Sequence, residues 1–83
     1  MSERFKEFFE KINQNQSQKK IEIGCNCGMV KLYVNSIMID RDEVYLFDTE
    51  ELIGVFKINE IKRVALYKKI NDHLEEAEGY EYE

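Results

Sequence analysis

Four large apolar residues, Phe5, Phe8, Phe9 and Ile12, stand at i, i+3, i+4 and i+7 near the start of a chain whose later apolar residues mostly alternate with polar ones. The first spacing is that of one helical face and the second that of strands, so one amphipathic helix over 3–12 has to share a domain with a sheet. Ser2 is placed to cap the helix, Glu3 suits its first turn, and Glu7 with Lys11 forms an i,i+4 pair in the favourable order. So short a helix is marginal in water, so the stripe must dock on the rest of the domain or on a second copy. Phe5, Phe8, Phe9 and Ile12 are therefore candidates both for core and for self-association. Eighty-three residues leave room for one core and not for two.

Asn13 to Gln18 are polar and uncharged and read as an exposed connector. From about 20 to 69 the pattern is that of strands. Ile21, Ile23 and Cys25 share one face, and Val30, Leu32 and Val34 another. Ser36–Asp40 extends the latter as a long bent strand. After a turn at Arg41-Asp42, the segments 44–47 and 52–58 are apolar on both faces, which predicts cover on both sides. Residues 59–69 also fit a helical spacing, but the β-branched and aromatic content around Val64 and Tyr67 favours a short turn and a final strand. Residues 70–83 suggest a helical turn or two that frays beyond Gly79. The expected architecture is α+β: the N-terminal helix packed on a small antiparallel meander sheet or barrel of about five strands. The expected organisation is one domain over 1–71 with an acidic tail over 72–83.

In element order, a helix followed by short antiparallel strands with a tight connection before the last, the chain is similar to small Sm-like and SH3-like barrels. The similarity implies a fold and, for the Sm-like case, an oligomeric RNA-binding ring built by strand pairing. The chain carries no copy of the Asp and Met-Asn signature of the Sm family.

Charge is unevenly spread. The net charge of −5 discourages a protein that grips nucleic acid with its whole surface. Yet residues 1–71 hold 12 bases and 11 acids, a net +1, and every residue type ionised at neutral pH from Asp72 onward is acidic. Asp72, Glu75, Glu76, Glu78, Glu81 and Glu83, interleaved with Tyr80 and Tyr82, read as a solvated tail or as a strip imitating a nucleic-acid strand. Such a strip would occupy a partner's basic site or shield one on this protein. Candidate nucleic-acid contacts are Lys19, Lys20, Lys62, Arg63, Lys68 and Lys69, with Tyr33 and Tyr45 as stacking platforms.

Catalytic apparatus is not visible. Cys25 and Cys27, bracketed by Gly24 and Gly28, are the one compact pair of soft ligands, but with His73 they make three ligands where a closed zinc site needs four. A dimer could supply the rest; the plainer reading is a hairpin with one cysteine facing the core. Two cysteines so close on a straight strand are poorly placed for a disulfide unless the glycines bend the chain. His73 stands among Asp72, Glu75 and Glu76 and reads as solvated. No cofactor is expected. The start, Met1-Ser2-Glu3-Arg4, lacks a signal peptide's apolar run and no segment is long and apolar enough to span a membrane, which predicts a cytoplasmic setting without membrane contact.

These features lead to the expectation of a non-enzymatic protein-binding module, a small regulator or inhibitor that occupies a functional surface of a partner through the acidic strip. The alternatives are the Sm-like RNA-binding oligomer and a structural homodimer through the phenylalanine stripe. A core this small supplies only a few kcal/mol, roughly, which makes homo-oligomers attractive.

Overall fold

A computed structural model describes residues 3–81. The order is α1 (Glu3–Asn13), β1 (Lys19–Cys25), β2 (Gly28–Val34), β3 (Ser36–Asp40), β4 (Glu43–Asp48), β5 (Glu51–Lys57), a 3-10 turn (Ile58–Glu60), β6 (Ile61–Ile70) and β7 (His73–Glu81). The α+β class expected from the sequence is observed, but the strands form two antiparallel sheets, ordered β2-β1-β6-β7 and β3-β4-β5, and no barrel closes. The expectation of about five strands in one meander is corrected on both counts. β1 lies between β2 and β6, so the chain returns to its first strand after building the second sheet.

The helix forms where the apolar spacing requires it, and its stripe is wholly internal. Phe5, Phe8, Phe9 and Ile12 are at most 2% exposed and join Ile21, Ile23, Val34, Val44, Leu46, Ile61 and Val64 in one core. The stripe is therefore not available for self-association: both sheets turn apolar faces towards it, and burying a phenylalanine stabilises by about 1.5–3 kcal/mol. Phe8 meets the edge of Tyr80 on β7 at 6.1 Å between ring centroids. Asn13 Nδ2 donates to the Ile37 carbonyl, and the Ile37 N–H donates to Asn13 Oδ1 at 2.7 Å. The helix thus bridges β7 of one sheet and β3 of the other. Ser2, the expected cap, lies outside the described residues.

Where the chain passes between sheets, one side chain does much of the holding. The long bent strand expected over 30–40 breaks at Asn35, whose N–H donates to Phe47 O at 2.8 Å. Its amide donates to Gln16 O at 2.8 Å and accepts from Thr49 N–H at 2.9 Å. The connector, exposed as expected, is tied down through this corner. Thr49 can turn tightly because it adopts a positive φ of 59°.

The expected acidic tail is a strand. β7 pairs with β6 from Ile70 opposite His73 to Arg63 opposite Glu81, with a bulge at Leu66/Tyr67. Asn71 and Asp72 form the two-residue turn with φ of 50° and 66°, the double positive φ that a type I′ hairpin demands and that Asn and Asp tolerate better than most residues. Neither a helical turn nor fraying occurs over 73–81; Tyr82 and Glu83 lie outside the described residues. The strand alternative for 59–69 is observed, preceded by the 3-10 turn. The expectation that 52–58 is covered on both sides fails at Leu52 and Val55, about half exposed, because β5 edges a three-stranded sheet. No helix of the described residues is long and apolar enough to cross a membrane.

Candidate binding groove

Lys19-Lys20 and Lys68-Lys69 are far apart in sequence, but β1 and β6 are antiparallel neighbours with Lys20 opposite Tyr67. On its other side Lys20 lies opposite Tyr33 of β2. One transverse row therefore reads Tyr33, Lys20, Tyr67. The end of α1, the connector and the β6–β7 hairpin wall this region into a groove of about 490 Å³, to which Lys11, Lys19, Lys20, Lys68 and Lys69 contribute cations and Glu78 the one carboxylate. A chain of net charge −5 so presents a concave surface of the opposite sign.

The groups are held in distinct ways. Lys20 Nζ sits 5.4 Å from the centroid of the Tyr33 ring, and Lys31 Nζ 5.3 Å from that of Tyr67, both within cation–π range. Tyr67 Oη donates to Glu22 Oε2 at 2.7 Å, and that carboxylate, 4% exposed as a residue, is the one buried charge among the described residues. This hydrogen bond, with burial second, holds the Tyr67 phenol above its ordinary value of 10.0. Lys19 Nζ donates to the carbonyls of Asn15 and of Ser17, the latter at 2.8 Å, and burial lowers its pKa below 10.5. Lys11 pairs with Glu78, whose hydrogen bond raises the lysine's pKa. Lys69 and Asp72, both strongly exposed, approach to 3.9 Å. Lys20 and Lys68 make no ion pair with a described carboxylate.

The other candidates separate from this group. Arg63 pairs with Glu76 and lies 3.5 Å from Glu81, and the Glu76 hydrogen bond raises its pKa. The guanidinium crosses Gly79, where a Cβ would fall 2.7 Å from Glu76 Oε2 and 3.0 Å from Arg63 Nη1. Lys62 does not line the groove. Of the two tyrosines proposed for stacking, Tyr33 is in the groove; Tyr45 is on β4, where the adjacent Glu43 charge raises its pKa. Tyr67, Lys11 and Leu74 are groove residues that the sequence did not single out. The signal for Tyr67 was its place beside Lys68 on a strand.

The acidic strip is divided by its strand. Glu76, Glu78 and Glu81 are engaged with Arg63 and Lys11, Tyr80 packs on Phe8, and Glu75 lies opposite Lys68. The expected mobile tail is corrected to a strand, over which Glu76, Glu78 and Glu81 pair with cations of the same fold. Cys25 and Cys27 occupy the β1–β2 hairpin tip, at the end of β6 near Ile61, while His73 pairs with Ile70 at the other end, roughly 30 Å away at strand rise. His73 therefore cannot join the cysteines within one chain, and no three His, Cys, Asp or Glu among the described residues are grouped to hold a metal ion.

Comparison with protein-family models, curated proteins and solved structures gave no match to this chain. The geometry carries the functional argument alone.

Proposed function

We propose that the chain is a non-enzymatic binding module whose groove takes a short single-stranded nucleic-acid segment. The observation that carries this reading is the convergence of five lysines with Tyr33 and Tyr67 around one concavity. Lysines supply phosphate neutralisation and tyrosine rings supply stacking faces, the combination that sequence-tolerant single-strand binding requires. Glu78, held by Lys11 at the groove wall, partly shields the site, as the shielding version of the acidic strip anticipates. The Sm-like element order belongs to this proposal, with β6 returning to β1 and the chain bending at Asn35. Because β7 occupies the outer edge of β6, a ring would have to pair the free edges of β5 and β7 instead. A monomer in light scattering removes the ring and leaves the groove.

The test is titration of a fluorescent oligouridylate at two salt concentrations. Charge reversal of Lys20→Glu with Lys68→Glu is expected to weaken binding by roughly tenfold to a hundredfold and to flatten the salt slope. Equal binding by wild type and double variant would sink the groove as the site.

A second reading keeps the protein-binding module, a small regulator acting on a partner's surface, and rests on different residues. Met29 and Val30 on β2 and Leu52 and Val55 on β5 are 38–61% exposed, and both strands present unpaired edges. The strands approach each other, since a Cβ on Gly54 would lie 3.8 Å from Leu32 Cδ1. An extended segment of a partner added to such an edge would cover these side chains. Val55→Lys should abolish binding of an isolated partner that Lys20→Glu leaves intact; the reverse pattern returns the function to the groove.

A further inference from the structure

The β1–β2 hairpin tip brings two thiols into contact: Cys25 Sγ and Cys27 Sγ are 3.4 Å apart. A straight strand would not achieve this. The chain turns at Asn26-Cys27, Gly28 has a φ of 136°, and the β1–β6 register shifts at Gly24/Cys25. The φ of Gly28 is reserved for glycine, and the space beside it is open, since a Cβ there would meet nothing within 4 Å. The glycine serves conformation, not packing. A sulfur–sulfur bond of about 2.05 Å requires the two atoms to close by roughly 1.3–1.4 Å, a side-chain movement on a turn whose tip is exposed.

The two thiols differ in access. Cys27 is exposed and Cys25 is half-buried. They line a cavity of about 380 Å³ with Glu43, Val55, Phe56, Lys57 and Glu60. A small reagent therefore meets Cys27 first, with Cys25 behind it at bonding approach. Burial, followed by its hydrogen bond with Cys27, raises the Cys25 pKa, which suits the second step rather than the first.

We infer that Cys25-Asn26-Cys27 is a reversible dithiol–disulfide site that exchanges with small-molecule disulfides. The Cys27 thiolate attacks one sulfur of R–S–S–R, forming Cys27–S–S–R and releasing R–S⁻. The Cys25 thiol then gives its proton to the released thiolate and attacks the Cys27 sulfur, forming Cys25–S–S–Cys27 and expelling the second R–S⁻, which solvent protonates. The protein loses two electrons and two protons, and the small disulfide is reduced to two thiols. The hairpin tip beside Val55 and Phe56 is thereby cross-linked, independently of the groove.

Full-length protein incubated with glutathione disulfide, acid-quenched and treated with an alkylating agent, is read by intact mass. The expected product is two hydrogens lighter than the reduced chain, takes up no alkyl group, and returns to a doubly alkylated form after dithiothreitol. Cys25→Ser should instead keep one glutathione on Cys27, and circular dichroism matching the wild type shows that this variant is folded. A glutathione adduct persisting on the wild type, a cross-linked dimer, or two thiols that stay alkylatable would each overturn the inference.

Discussion

The two ends of β6 carry cations and meet opposite fates. Near its start Arg63 is drawn across Gly79 to Glu76 and Glu81 of β7. Near its finish Lys68, with Lys20 of the neighbouring strand, opens into the groove without an ion pair to any described carboxylate, and Lys69 approaches the exposed Asp72. Nothing in the residue types separates these ends, since β7 holds carboxylates along most of its length. The difference lies in register. The bulge at Leu66/Tyr67 shifts β7 by one residue, and the helix and connector wall off one end only. Availability of a cation is thus a property of pairing geometry, and exposed ion pairs add little stability of their own, typically up to about 1 kcal/mol.

The contrast can be broken most completely by removing residues 72–83. A solvated tail would leave stability unchanged, whereas loss of β7 uncovers Phe8, removes the Tyr80 contact and opens the edge of β6. Chemical denaturation should show a loss of about 2 kcal/mol or more, with a tendency to associate. An unshifted midpoint would return 72–83 to the status of a tail. Arg63→Gln separates the ends with a smaller effect. It should lower stability by no more than about 1 kcal/mol and leave oligouridylate affinity within twofold or so, against the large loss expected for Lys20→Glu with Lys68→Glu. Comparable binding losses from both changes would mean that the ends are not distinct.

The smallest effect concerns pH. Tyr67 binds its proton more tightly in the folded chain than the ordinary 10.0 implies, because the phenol donates to Glu22. The folded pKa is raised, so this contribution is fully present below pH 10 and is lost as pH rises through the folded value. Tyr67→Phe should shallow the decline of stability above pH 10; an identical alkaline slope in the variant would remove Tyr67 as its cause.

Much of this fold is legible in residue spacing. The i, i+3, i+4, i+7 stripe specifies α1 because no other regular structure puts Phe5, Phe8, Phe9 and Ile12 on one face, and the alternation of Ile21 with Ile23 specifies β1. The β6–β7 hairpin was legible as well, from Asn71-Asp72 flanked by strand-compatible residues, but the run of glutamates suggests a solvated segment. Acidic composition speaks of disorder only when no pairing strand is available, and β6 is available. Lysine pairs at 19–20 and 68–69 are visible as candidates, and Tyr67 is marked only by standing beside Lys68 on a strand, while nothing local marks Lys11 as a groove residue.

The sequence by itself determined a one-core α+β chain, its helix with the buried face, most of its strands, and the presence of basic and acidic segments. These are local properties, set by side-chain period and by which residues tolerate a turn. Tertiary structure alone decided that the phenylalanine stripe is core, that the acidic segment neutralises Arg63 and Lys11, that five lysines from α1, β1 and β6 share a groove, and that Cys25 and Cys27 touch. Each of these depends on which strands become neighbours and in which register. That choice is made by burial of the whole core at once, and no stretch of sequence carries it alone.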